Sequence, residues 1–119
     1  MLSKWKQTLA VRYFGFRKIP MILFVRPTVL QLDSAGCVMR IPFRKRTQNH
    51  LKSMYFGVLA VGADLAGGLI AMEQISKSDK KISLVFKDMR ADFHKRVEGD
   101  AHFSCQDGPK IETLIAEVI

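Results

Sequence analysis

Little in this chain could staple or cross-link it. Two cysteines among 119 residues, Cys37 and Cys105, make neither a disulfide framework nor a metal-ligand spacing. They read as small buried hydrophobes, and a reducing, cytoplasmic setting is the expectation. The three histidines, His50, His94 and His102, also lack ligand spacing, so no metal is assigned. Negative charge is scarce early on. Lys4, Lys6, Arg12, Arg17, Lys18 and Arg26 all precede the first acidic residue, Asp33. Long apolar runs are missing from the N-terminal part: Met21 to Val25 is the longest, and Lys18 and Arg26 flank it. That excludes an N-terminal span and argues against a signal peptide; no segment is read as crossing a membrane.

What is present is a single domain's length of chain, 48% hydrophobic, with a formal net charge of +8. A chain this small buries a modest fraction of its surface, so assembly with a second subunit is expected. The positive balance favours anionic partners. Nucleic acid is set aside, because neither a recognition motif nor an aromatic–basic repeat accompanies the charge.

Leu2, Trp5, Leu9, Tyr13 and Phe16 recur in steps of three and four, which predicts an amphipathic helix ended by Pro20. Two readings of its apolar stripe stand: packing on the chain's own core, or contact with an anionic membrane surface. Residues 1–27 are taken as this helix and a linker. Val29–Asp33 and Cys37–Phe43 predict a hairpin turning at Ser34-Ala35-Gly36. Arg44-Lys45-Arg46 reads as a solvated loop or, second, a phosphate contact.

Leu51 to Ser76 is apolar nearly all round, which predicts a long helix wrapped on most sides. It carries four glycines, whose expected return is close approach of a neighbouring backbone or ligand. The stretch from Asn49 to Gly68 carries one acidic residue, Asp64, on an otherwise apolar and Gly-rich body. Burying a lone carboxylate is costly unless something pairs with it or uses it. Such a group is a candidate general base or nucleophile, or else one half of an ion pair across a subunit contact. Gly57, near the helix start, offers a backbone N–H to a developing oxyanion, as any helix N-terminus does. Asn49 is placed to orient water or a carbonyl, or to cap the helix.

Ile82 to Phe93 predicts a strand matched in length to the helix, with a phase slip at Lys87-Asp88 implying a bulge. Val97–Gln106 predicts a further strand, with Ala101, Phe103 and Cys105 on one face and His102 and Ser104 on the other. Ile111, Leu114, Ile115, Val118 and Ile119 then form a helical stripe.

Two stretches carry a family resemblance. Asn49, five residues, Tyr55-Phe56-Gly57, six residues and Asp64 resembles the pattern Asn, five residues, His-Gly-Gly, six residues, Asp of hotdog-fold acyl-CoA thioesterases of the phenylacetic-acid-degradation type. Tyr55 stands where that family has His, and Phe56 where it has the first Gly. Phe93, Lys95, Gly99 and Asp100 resemble its downstream strand pattern, with Arg96 in place of Pro. The chain is similar to an uncharacterised hotdog domain family. The resemblance implies an α+β hotdog fold over residues 28–119, a curved antiparallel sheet wrapped around a long central helix, expected to lack its last strands here. It implies hydrolysis of an acyl-CoA thioester, with Asp64 as base, Gly57 at the oxyanion and Asn49 and Tyr55 beside them. A phenol cannot reproduce imidazole chemistry near neutral pH, so the alternative is a non-catalytic acyl or acyl-CoA binding protein. Arg90, Lys95 and Arg96 would hold the coenzyme A phosphates, coenzyme A being part of the substrate and not a cofactor. A homodimer or tetramer is implied, with the site between subunits.

Overall fold

The computed structural model describes residues 3–85 and 87–118. The positions 1, 2, 86 and 119 lie outside, and with them the expected contributions of Leu2, Phe86 and Ile119 to their stripes. In chain order the elements are α1 (Lys4–Lys18), α2 (Pro20–Phe24), β1 (Thr28–Leu32), β2 (Cys37–Ile41), a 3-10 turn (Lys45–Thr47), α3 (Phe56–Lys77), β3 (Ala101–Cys105) and α4 (Gly108–Ala116).

The sheet is antiparallel in the order β1-β2-β3. The expected hairpin forms, turned by Asp33. Its Oδ1 accepts the N–H groups of Ala35 and Gly36, and the Asp33 N–H donates to the Gly36 carbonyl. These bonds, with that from Gln31, hold the Asp33 carboxyl below the ordinary range, the Gln31 contact being the largest cause. A register shift between Val29 and Gln31 puts an irregularity in β1. On β3, Ala101 is buried and Phe103 and Cys105 half-buried, while His102 and Ser104 are exposed, as their alternation predicts.

The helix α3 packs on β2 and β3 and spans the core. Leu65 and Ile70 join Val11, Ile22, Val29, Cys37 and Met39 in one cluster, and Val58 joins Val25, Ile41, Met54 and Ala101 in a second. Phe103 seats its ring against Gly62, so what approaches closely at this helical glycine is a side chain, not the neighbouring backbone or ligand expected. Gln74 fastens the far end of α3, its Nε2 donating to Gly108 O at 2.8 Å.

Four expectations need correction. First, α3 begins at Phe56, not Leu51. Residues 49–53 form a tight turn, closed by Asn49 N–H to Ser53 O at 2.8 Å, because Asn49 and Ser53 bind each other's backbone and side chains. Second, α3 is not wrapped on most sides. Its sheet-facing side is buried, but Ala63, Asp64 and Met72 are exposed. By length and composition alone α3 is apolar enough to cross a membrane, contrary to the expectation, although its inner face is core. Third, residues 82–85 and 87–93 form no strand and hence no bulge. They run extended or irregular and largely exposed, and none of them pairs with a strand among the described residues.

Fourth, α1 presents the opposite face to the core. Trp5, Leu9, Tyr13 and Phe16 point outward, and Gln7, Thr8, Val11 and Gly15 are buried. The cause is the edge strand β1, whose backbone needs polar partners. Thr8 Oγ1 accepts the Val29 N–H at 2.8 Å, Gln7 Nε2 donates to Leu32 O at 3.1 Å, and Arg12 Nε donates to Pro27 O at 3.0 Å. Partial burial, then the nearby Arg26, lowers the pKa of Arg12. Pro20 ends α1 as predicted, and it also opens α2, where its missing N–H costs nothing.

Candidate functional site

The uncovered face of α3 follows from helical spacing. Asp64, Gly67, Gly68, Ala71, Met72 and Ile75 recur at steps of three and four and so share one side. Together with Phe14, Ile19 and Ile22 from α1 and α2, and Ile82, Leu84 and Val85 from the chain after α3, they line a cavity of about 760 Å³. Its wall is mostly apolar, and its charged lining residues are Asp64 and Lys87. A cleft of this size and character suits an apolar ligand with a few polar contacts. The small residues matter: a Cβ on Gly67 would meet nothing within 4 Å, and one on Gly68 would have Asp64 Oδ1 nearest, at 3.9 Å.

A second, smaller cleft of about 290 Å³ lies toward the start of α3, between Leu59, Ala60 and Ala63 and the stretch from Met89 to Val97, with Phe103 at its base. Ala63 borders both clefts, so Asp64 sits at their junction.

The residues singled out by sequence are dispersed along this face. Asp64 is exposed, not buried as expected, and no described residue hydrogen-bonds its carboxylate. Tyr55 is the residue before α3. Its N–H donates to Thr47 O at 2.8 Å and its ring lies over Gly57, 2.5 Å from where a Gly57 Cβ would stand. Gly57 is in the first turn of α3, half-buried beneath that ring. Asn49 does not cap α3. Its Oδ1 accepts from Leu51 N–H at 2.9 Å and Ser53 N–H at 3.2 Å, and its Nδ2 donates to Ser53 Oγ at 3.0 Å.

Asp64 lies seven helical steps beyond Gly57, about 10 Å at the helical rise. Within one subunit the Gly57 N–H and the Asp64 carboxylate therefore cannot hold the same thioester carbonyl and its attacking water.

The basic candidates lie in the exposed stretch after α3. Lys95 lines the smaller cleft and Arg90 lines neither. Arg96 is tied down, donating to Leu51 O at 2.6 Å and lying 3.9 Å from Glu98. Arg44, Lys45 and Arg46 are exposed on their 3-10 turn, as a solvated loop requires. Among the described residues, no cluster of three or more His, Cys, Asp or Glu side chains could hold a metal.

Sequence reasoning missed the contribution of α1 and α2 to the main cavity. The Phe14, Ile19, Ile22 set is off the stripe that defines the helix, and Ile19 and Ile22 straddle Pro20, where the sequence predicts the helix to end. It also missed Lys80, whose Nζ donates to Ile115 O and Ala116 O at 2.9 Å and to Val118 O, capping the end of α4 and anchoring the chain beside the cavity.

Comparison with known proteins agrees with this architecture. A family model described as a domain of unknown function, DUF4442, matches residues 8–113. The crystal structure of a protein with unknown function from Chlorobaculum tepidum TLS superposes with a TM-score of 0.75 at 14% sequence identity, over 88% of this chain and 64% of that one. The present chain thus spans less than two thirds of that neighbour's length, and the likeness supports a hotdog-like α+β fold. No curated protein matches.

Proposed function

The chain belongs to the DUF4442 family, and from that premise we propose that it binds acyl-CoA thioesters and hydrolyses them in a site shared by two subunits. The observation that carries this reading is the apolar cavity on the uncovered face of α3 with Asp64 at its edge. An acyl chain would occupy the cavity. Asp64 would take a proton from water as it attacks the thioester carbonyl, and the thiol of coenzyme A would leave with a proton returned from the carboxyl. The N–H of Gly57 would hold the oxyanion, supplied by the second subunit because one subunit's own Gly57 is too far along α3. Residues 82–85 and 87–93, largely exposed and paired with no strand among the described residues, would give such a dimer a pairing surface. Lys95 and Arg90, with Arg96 nearby, are the cations for the phosphates.

A second reading is a non-catalytic acyl-CoA binding protein, and one observation favours it. The Tyr55 ring covers the first turn of α3, where a thioester carbonyl would have to reach the Gly57 N–H.

Turnover of a panel of aliphatic and aryl acyl-CoAs tests the two. Hydrolysis that falls ~10²–10⁴-fold in Asp64→Asn, with affinity retained, supports the enzyme. Turnover unaffected by Asp64→Asn rejects it. Micromolar affinity with no hydrolysis of any thioester establishes the binding protein instead.

A further inference from the structure

The orientation of α1 is unusual for a helix on a small core. Its inward side sets the polar Gln7 and Thr8, both bonded to β1, beside Val11 and Gly15, while its outward side carries Trp5, Leu9, Tyr13 and Phe16, with exposures of 63%, 55%, 63% and 64%. Met21 and Phe24 on α2 extend the exposed apolar surface. Contiguous exposed apolar surface of this kind marks an interaction site. Its rim is cationic: Lys4, Lys6, Arg17 and Lys18 are all exposed, and the Lys6 ammonium lies 5.5 Å from the centroid of the Trp5 ring. No acidic residue occurs before Asp33.

We propose that the α1–α2 face docks on an anionic lipid bilayer. In this arrangement α1 lies in the plane of the interface. Trp5, Leu9, Tyr13 and Phe16 enter the headgroup region, and the four cations sit at the lipid phosphates. The charge pattern selects this occupant over a second copy of the chain. An isologous contact through this face would bring the same four cations of each subunit together with no acidic residue from α1 or α2 to offset them. An aqueous polyanion would neutralise the cations but leave Leu9, Phe16, Met21 and Phe24 in water. Polar anchoring of the inner face to β1 keeps the aromatic side outward without unfolding the domain. The proposal does not depend on the thioester reading.

Trp5 is the sole tryptophan, so its emission reports directly on this face. The full chain would be titrated with vesicles of phosphatidylcholine containing phosphatidylglycerol, and with vesicles of phosphatidylcholine alone. The expected result is a blue shift and co-flotation with the anionic vesicles, weakened by added salt. Lys4→Glu/Lys6→Glu should lower the partition coefficient on the order of ten- to a hundredfold. Leu9→Ser/Phe16→Ser should lower it by about tenfold or more, with an unchanged circular dichroism spectrum because both positions are exposed. Equal binding to neutral vesicles, or no shift with either kind, would overturn the proposal. So would a Trp5 emission that is blue-shifted in buffer alone and reverts on dilution, which would assign the face to a second copy. A shift produced by single-stranded nucleic acid and not by vesicles would overturn it as well.

Discussion

Phe103 on β3 rests its ring on the backbone of Gly62, and a Cβ there would overlap the ring atoms. This contact sets how closely α3 approaches the sheet. Five residues further on, Gly67 faces the cavity with open space around it. The two glycines are chemically identical and structurally opposite.

Gly62→Ala should therefore destabilise the domain by about 1–3 kcal/mol, because the ring or the helix must shift. Gly67→Ala should stabilise the isolated subunit by about 0.5–1 kcal/mol, through helix propensity and a less flexible unfolded chain. Urea denaturation of both variants checks the pair. Equal effects of the same sign would contradict the packing described.

The elements that sequence made legible are those whose cause is local. The Asp33 turn, the alternation of Ala101, Phe103 and Cys105 and the body of α3 each follow from residues within a few positions of one another. What was not legible depends on distant partners. The stripe Trp5, Leu9, Tyr13, Phe16 is a real helical periodicity, but the hydrogen-bonding needs of β1 decided which side of α1 faces inward. The alternation of Ile82 to Phe93 is equally real, but a strand needs a second backbone and none lies beside it within the described residues. Asp64 was legible as an oddity on an apolar helix. Its exposure was not, since it depends on which face of α3 the sheet covers. The early start assigned to that helix has a local remedy: Asn49 followed four residues later by Ser53 is a turn signal.

Asn49→Ala removes the acceptor for the Leu51 and Ser53 N–H groups and the donor to Ser53 Oγ. The expected cost is about 1–2 kcal/mol, read as a lower denaturation midpoint at unchanged m-value. If Asn49 instead serves chemistry at the thioester, stability should be untouched and only turnover should fall.

Segment 82–93 is expected to pair across a dimer axis. Light scattering at micromolar concentration should give at least twice the 13.5 kDa chain mass. Val85→Pro, at an exposed position 81% accessible in the isolated subunit, should shift the chain toward monomer while leaving its helical content intact. A monomeric parent protein, or a variant that dimerises unchanged, would remove this segment from the interface.

Tyr55 gives a test that separates the two functional readings. Tyr55→His restores the imidazole of the thioesterase pattern and removes the phenol ring from above Gly57. On the enzyme reading, hydrolysis of the best acyl-CoA should rise by about tenfold or more, with a rate that depends on pH through the imidazole range. On the binding-protein reading, affinity changes and hydrolysis stays at background. Tyr55→Phe serves as the control, since it keeps the ring over Gly57 and removes only the hydroxyl.

Cys37 supplies a pH prediction. Its side chain is fully buried on β2, directly across from Cys105 on β3. Burial, then the neighbouring Cys105 and Asp33, pushes its thiol up from 9.0 to about 11. Between those values the unfolded chain has lost this proton and the folded chain retains it. Unfolding stability therefore falls as pH rises through that window, and the contribution is fully present below about pH 9. A rise from 9.0 to about 11 corresponds to at most about 2.7 kcal/mol. Other groups titrate in the same range, so the measurement is a difference. Urea unfolding of the parent and of Cys37→Ala would be compared at pH 8 and pH 11. The variant starts less stable because it leaves a small cavity, but it should lose less stability on going to pH 11. Parallel losses in the two proteins would show that the buried thiol does not govern the alkaline limb.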